Sequence, residues 1–83
     1  MDILDAIGNT TMVRLNRVVP PGCANVFVKL EWENPTGSMK DRMARAVILR
    51  AEEDGRLKPG GTVLEYTGGS TGTSLALVCA ARG

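Results

Sequence analysis

The sequence contains no histidine, and its aromatic residues are a single Trp, a single Tyr and a single Phe. Without histidine, the commonest transition-metal ligand and general base is missing. The only cysteines, Cys23 and Cys79, are far apart and form no C-x-x-C pair. No zinc site of the usual kind is therefore expected, and no metal. So few aromatics leave little to stack on nucleic-acid bases. A net charge of +1 gives no basic footprint for nucleic acid or an anionic membrane. No apolar run approaches the roughly 18 residues that span a bilayer. The opening MDILDAIGNT carries Asp2 and Asp5 and lacks the basic start of a secretory signal. These absences predict a cytoplasmic protein with two reduced thiols and with neither a nucleic-acid nor a membrane partner. Cys79, within LALVCAA, reads as a small core residue, and Cys23 lies in the turn PPGC.

What is present is an 83-residue chain with 43% hydrophobic residues, an ordinary globular proportion. MVRL at 12–15 reads as a short strand and VVPPGC as a loop. NVFVKLEW at 25–32 reads as a strand, with Val26, Val28, Leu30 and Trp32 alternating against Phe27, Lys29 and Glu31. From 39 to 54 the period is helical: Met43, Val47 and Ala51 recur at i+4, joined by Ala44 and Ile48, and Gly55 can end the helix. TVLEY at 62–66 reads as another strand, TGGSTG as a glycine-rich turn, and 71–81 as a second helix with Gly83 as its cap. The order strand, helix, strand, helix predicts an α/β unit with a parallel sheet. Sheets average about five to six strands, and a 60-residue domain buries only about 60% of its unfolded surface. The expectation is that these 83 residues are the N-terminal part of a larger protein, or fold against another chain.

NPTGSMKDR at 34–42 passes from a turn into a helix. Pro35 keeps Asn34 extended, and Gly37 permits the reversal. Ser38 is a suitable N-cap, with Asp41 completing a capping-box-like S-x-x-D. Lys40 then falls in the first helical turn, where the dipole is positive. A positive setting favours the neutral, nucleophilic form of an amine. A solvated surface lysine fits the same pattern. TGGSTG, feeding a helix, can present free backbone N–H groups to an anion, with hydroxyls from Ser70, Thr71 and Thr73. It matches neither G-x-G-x-x-G nor a P-loop, and a plain tight turn is equally compatible. Both loops follow predicted strands, which places them on the carboxyl edge of a parallel sheet, where open α/β sheets bind ligands. An amine and an anion-binding loop on one edge suit a ligand with an aldehyde or imine carbon near a carboxylate.

IGNTTMVRLNRV at 7–18, VFVKLEWENPTGSMKDRMA at 26–44 and EYTGGSTGTSLA at 65–76 together resemble the cysteine synthase (O-acetylserine sulfhydrylase) and cystathionine β-synthase family of fold-type II pyridoxal-phosphate enzymes. The resemblance runs in order across almost the whole chain. It implies part of a parallel-sheet, three-layer α/β domain of the tryptophan synthase β type, incomplete in these residues. It also implies pyridoxal 5'-phosphate as cofactor, an amino-acid substrate and a homodimer. NPTGSMKDR matches the family's lysine motif, which makes Lys40 the catalytic residue: it carries the cofactor as a Schiff base and then handles the substrate α-proton. TGGSTG aligns with the family's carboxylate-binding loop, which implies Thr67, Gly68, Ser70 and Thr71 as substrate-carboxylate ligands. Ser70 also stands where a family asparagine meets the cofactor. That serine, Gly68 in place of a serine, and Thr11 in place of a proline are departures from the family pattern. The implied reaction is β-replacement on an activated serine, O-acetylserine plus sulfide giving cysteine. Other fold-type II activities (cystathionine β-synthase, serine/threonine dehydratase) and a non-catalytic binding module are the alternatives. The family's cofactor-phosphate loop and its pyridine-nitrogen residue belong to later sequence, so the segment alone is expected to be inactive.

Overall fold

A single 3-10 turn at Ile3–Ala6 opens the chain, capped by the Asp2 carboxylate, which accepts the Leu4 N–H, while Asp5 accepts the Asp2 N–H. The computed structural model describes residues 1–83. Strand β1 (Met12–Arg14) and strand β2 (Phe27–Lys29) pair antiparallel, with Val13 opposite Val28. Between them lies the Pro20-Pro21 loop, which cannot extend the ladder. A second 3-10 turn, Glu31–Glu33, leads into the turn before helix α1 (Lys40–Glu53). Helix α2 (Ser70–Arg82) ends the chain, with Gly83 at its C-cap.

Helix α1 falls where the i+4 spacing put it, and α2 where the sequence after the glycine-rich turn predicted a second helix. The strands are corrected in three ways. The segment expected as a strand over 25–32 is regular only at 27–29, because β1 offers just three residues to pair with. The one pairing present, β1 with β2, is antiparallel, and the parallel pair expected of 25–32 and 62–66 is not formed within these residues. TVLEY at 62–66 forms no strand: it takes no regular structure, pairs with no other segment and is exposed throughout. A strand is defined by its neighbours' hydrogen bonds, and no neighbour is present for this one.

The core is small. Leu4 and Ile7 from the opening turn meet Ala44 and Ile48 of α1 and Val78 of α2, with Leu57, Leu75 and Cys79 packed around them. Spacing explains the choice: Asp41, Ala44 and Ile48 share one face of α1, and Ser74 and Val78 share one face of α2. The helices lie side by side and point the same way. Asp41 near the start of α1 touches Ser74 early in α2, while Glu52 near the end of α1 bonds Arg82 at the end of α2. Both helix N-termini therefore face one end of the molecule. The chain is elongated, 55 × 30 × 21 Å with a radius of gyration of 16.4 Å, against about 12 Å for a compact domain of this length.

Candidate active site

The turn before α1 is built as its residues predict. Asn34 accepts the Gly8 N–H through Oδ1 (2.8 Å) and is buried. Its carbonyl accepts the Gly37 N–H (2.7 Å), and Gly37 takes φ +83°, where a side chain would be strained. The helix begins one residue later than the N-cap reading of Ser38 requires. Met39 occupies the cap position, and Ser38 Oγ accepts the Lys40 N–H at 3.0 Å. Asp41 does not close a capping box with Ser38. Its carboxylate instead accepts from the Thr36 N–H (2.9 Å), the Thr36 hydroxyl (2.5 Å) and the Ser74 hydroxyl (2.6 Å), and it is fully buried. Burial raises the carboxyl's pKa, but the hydrogen bonds from Ser74 and Thr36 outweigh it and hold the group below its ordinary value.

Lys40 is the first residue of α1 and is half-buried. Its amine enters no ion pair and no hydrogen bond; the chain's ion pairs are Arg42–Glu31, Arg56–Asp54 and Arg82–Glu52. It borders an open hollow shared with Asn9, Lys29, Glu31 and Met43. One wall of this hollow is a tight polar network. Arg42 donates to both Glu31 oxygens (Nε at 2.7 Å, Nη2 at 3.0 Å), the Thr10 hydroxyl donates to Glu31 (2.5 Å), and Asn34 Nδ2 adds a further bond (3.1 Å). The Arg42 guanidinium, followed by Thr10, pulls the Glu31 carboxyl down to about 2. GNTT at 8–11 is thereby fastened beneath the lysine turn. Gly8 sits so close that a Cβ there would lie 3.0 Å from Arg42 Nη1.

At the start of α2, Thr67 organises the glycine-rich loop. Its hydroxyl oxygen accepts the N–H groups of Gly69 and Gly72, both at 3.2 Å. That leaves the Thr67 hydroxyl proton free to be donated outward. The backbone N–H groups of Gly68, Ser70 and Thr71 have no partner within the chain. Unused donors at a helix start are what an anion requires. Gly72 permits the arrangement, since a Cβ on it would stand 2.6 Å from Thr67 Cγ2.

Thr67, Gly68, Ser70 and Thr71 thus form one donor cluster, exposed at all but the half-buried Thr71, at the same end of the helix pair as Lys40. The loop does not line the hollow that Lys40 borders. The amine and the anion loop share an end of the molecule but no common pocket within these residues. The sequence reading missed Thr36, Ser74 and Gly72, and gave Asp41 the wrong partner. A signal was available: Asp41 falls on the same helical face as Ala44 and Ile48, and a carboxylate on an apolar face needs a partner.

A family model described as pyridoxal-phosphate dependent enzyme matches residues 3–83. The cysteine synthase of Staphylococcus aureus is 52% identical over 82 residues, covering 99% of this chain and 26% of its own length. Among solved structures, an O-ureido-L-serine synthase superposes with a TM-score of 0.88 at 54% identity, covering 99% of this chain and 26% of that one. The O-acetylserine sulfhydrylase isoform 3 of Entamoeba histolytica gives a TM-score of 0.86 at 42% identity, over 95% of this chain and 25% of that one. The chain spans about a quarter of the length of the relatives it matches. The α/β, fold-type II expectation is met by these neighbours, although the parallel strands it implies are not completed within residues 1–83.

Proposed function

Because the chain belongs to the pyridoxal-phosphate dependent enzyme family, we propose that it is the lysine-bearing N-terminal part of a cysteine-synthase-like enzyme. The reaction is β-replacement on an activated serine, with O-acetylserine and sulfide giving cysteine and acetate. The single observation that carries this is the unpartnered Lys40 amine at one helix start, beside a second helix start whose loop holds unused N–H donors. The rest of the N-terminal domain, and the domain that binds the cofactor phosphate, lie outside these residues.

The residues present fit the amine and anion half of such a site. Lys40 would hold the cofactor through its aldehyde carbon, and pyridoxal phosphate supplies the electron sink that stabilises negative charge at the substrate α-carbon. The Lys40 amine has no ion-pair partner to displace, and in this reading it is the nucleophile and then the base that takes the α-proton. Thr67, Gly68, Ser70 and Thr71 would hold the substrate carboxylate, with amides and the Thr67 hydroxyl donating. Ser70, at the first position of α2, would also reach toward the cofactor. Acetate leaves from the β-carbon, and sulfide forms the new bond there. The likeness to O-ureido-L-serine synthase favours a second reading, in which the hydroxyl oxygen of a hydroxyurea takes the place of sulfide, bonds to the β-carbon as acetate leaves, and gives O-ureido-L-serine. The proposal includes a homodimer, by likeness to the family, and a cytoplasmic location, to which the unpaired thiols of Cys23 and Cys79 lend support. No helix is long and apolar enough to cross a membrane.

The test is borohydride reduction of the natural full-length protein followed by peptide mapping. A reduced pyridoxyl adduct on Lys40 is expected, and Lys40→Ala should abolish both adduct and turnover. An adduct on another lysine, or none, would overturn the assignment. Turnover of O-acetylserine with sulfide against turnover with hydroxyurea separates the two readings.

A further inference from the structure

We propose that Asp41 is a positioning residue: its buried carboxylate locks the helix that carries Lys40 to the helix that begins with the anion-binding loop. This rests on the functional reading above for its consequence, and on geometry alone for the lock itself.

Asp41 is adjacent to Lys40, so whatever fixes Asp41 fixes the lysine's backbone. One Asp41 oxygen accepts the Thr36 N–H, and the other accepts both the Thr36 and the Ser74 hydroxyls. Thr36 belongs to the turn that aims α1, and Ser74 stands one turn into α2, about 5–6 Å along the axis from Ser70. The carboxylate therefore joins three pieces: the lysine turn, the first turn of α1 and the first turn of α2. Asp41 and Ser74 are both fully buried, and no buried side-chain polar atom in the chain is left unpaired. A charged hydrogen bond in such a place is short and directional. It suits holding two groups in register better than it suits adding stability, since desolvating a carboxylate offsets much of its attraction. At the far end of the same helix pair, Glu52 and Arg82 make an exposed cross-link. The molecule thus carries its own control: one tie at the functional end and one at the opposite end.

The experiment compares Ser74→Ala with Glu52→Gln in the natural full-length protein. Ser74→Ala removes the inter-helix bond and leaves Asp41 its Thr36 partners, so folding is preserved. Hydrogen exchange should quicken in Ser74→Ala at the amides of 40–43 and 70–75, and in Glu52→Gln only near 50–54 and 79–83. This arm needs no cofactor. Misplacement of reacting groups by about 1 Å can cost on the order of a hundredfold in rate. We therefore expect kcat/KM to fall roughly tenfold to a hundredfold in Ser74→Ala, with cofactor occupancy and the Lys40 adduct retained, and to stay within about twofold in Glu52→Gln. Equal exchange profiles in the two variants would refute the lock. Localised exchange with unchanged kcat/KM would refute the positioning role. Wild-type protein without a Lys40 adduct would refute the cofactor assignment and this consequence with it, while the exchange profile still decides the lock.

Discussion

On the proposed function, replacing Gly72 by alanine should damage amino-acid binding without unfolding the protein, and a second, compensating change should repair it. A Cβ at position 72 would lie 2.6 Å from Thr67 Cγ2, about 1 Å inside ordinary carbon–carbon contact. Thr67 must yield, and with it the bonds that its hydroxyl oxygen accepts from the Gly69 and Gly72 N–H groups. Each is worth about 0.5–1.5 kcal/mol, so losing both amounts to about 1–3 kcal/mol of loop organisation. If binding requires the organised loop, the dissociation constant for the amino acid rises roughly fivefold to 150-fold. Alanine is the better helix former by about 1 kcal/mol, so the melting temperature should move little. Thr67→Ser removes Cγ2 and keeps the hydroxyl, so Thr67→Ser with Gly72→Ala should bind within a few-fold of wild type. The assay is titration of the full-length holoenzyme with amino acid, followed by cofactor absorbance. A double variant as impaired as Gly72→Ala alone would refute this account of the glycine.

The isolated 83-residue segment exposes 6115 Å², where a folded monomer of 8.8 kDa exposes about 4,800 Å²; it should melt without a cooperative transition by circular dichroism, and a single sharp calorimetric transition would contradict this. Ile48→Ala empties the centre of the small core and should destabilise the full-length protein by about 2–5 kcal/mol in urea titration. Glu31 is held at about 2 against an ordinary 4.5. Its contribution is therefore fully present above pH 4.5 and lost as pH falls toward 2. Glu31→Gln should make stability between those values less dependent on pH, and an unchanged acid profile would count against the Arg42–Glu31 network.

Both helices were legible from sequence because helix periodicity is local. Met43, Val47 and Ala51 recur within one segment, and Gly55 and Gly83 end the two helices where their positive φ is needed. The strands were less legible because their existence depends on neighbours. MVRL is a strand through β2, while TVLEY, with a stronger composition, is none. The lysine turn and the donor loop were legible as motifs, but the tie between them was not. Ser38 and Asp41 satisfy a capping pattern three residues apart, yet the partner Asp41 takes in α2 is 33 residues away. The fastening of Thr10 and Thr11 to Glu31 and Glu33 left no periodic mark at all.

The unpaired segment 62–66 bears on how the chain is made. It is paired with no other strand, and Leu64 and Tyr66 are almost wholly exposed. A β-prone apolar segment with unmet hydrogen bonds is a template for pairing with any other strand, including the same strand of a second nascent chain. Ribosomes add about 5–20 residues per second, and in a protein of the relatives' length these residues are about a quarter of the whole. The segment would then wait on the order of ten to fifty seconds for the rest of the chain. Slowed translation beyond residue 83, or premature termination there, should therefore raise aggregation and chaperone capture, and a Lys in place of Leu64 should suppress both.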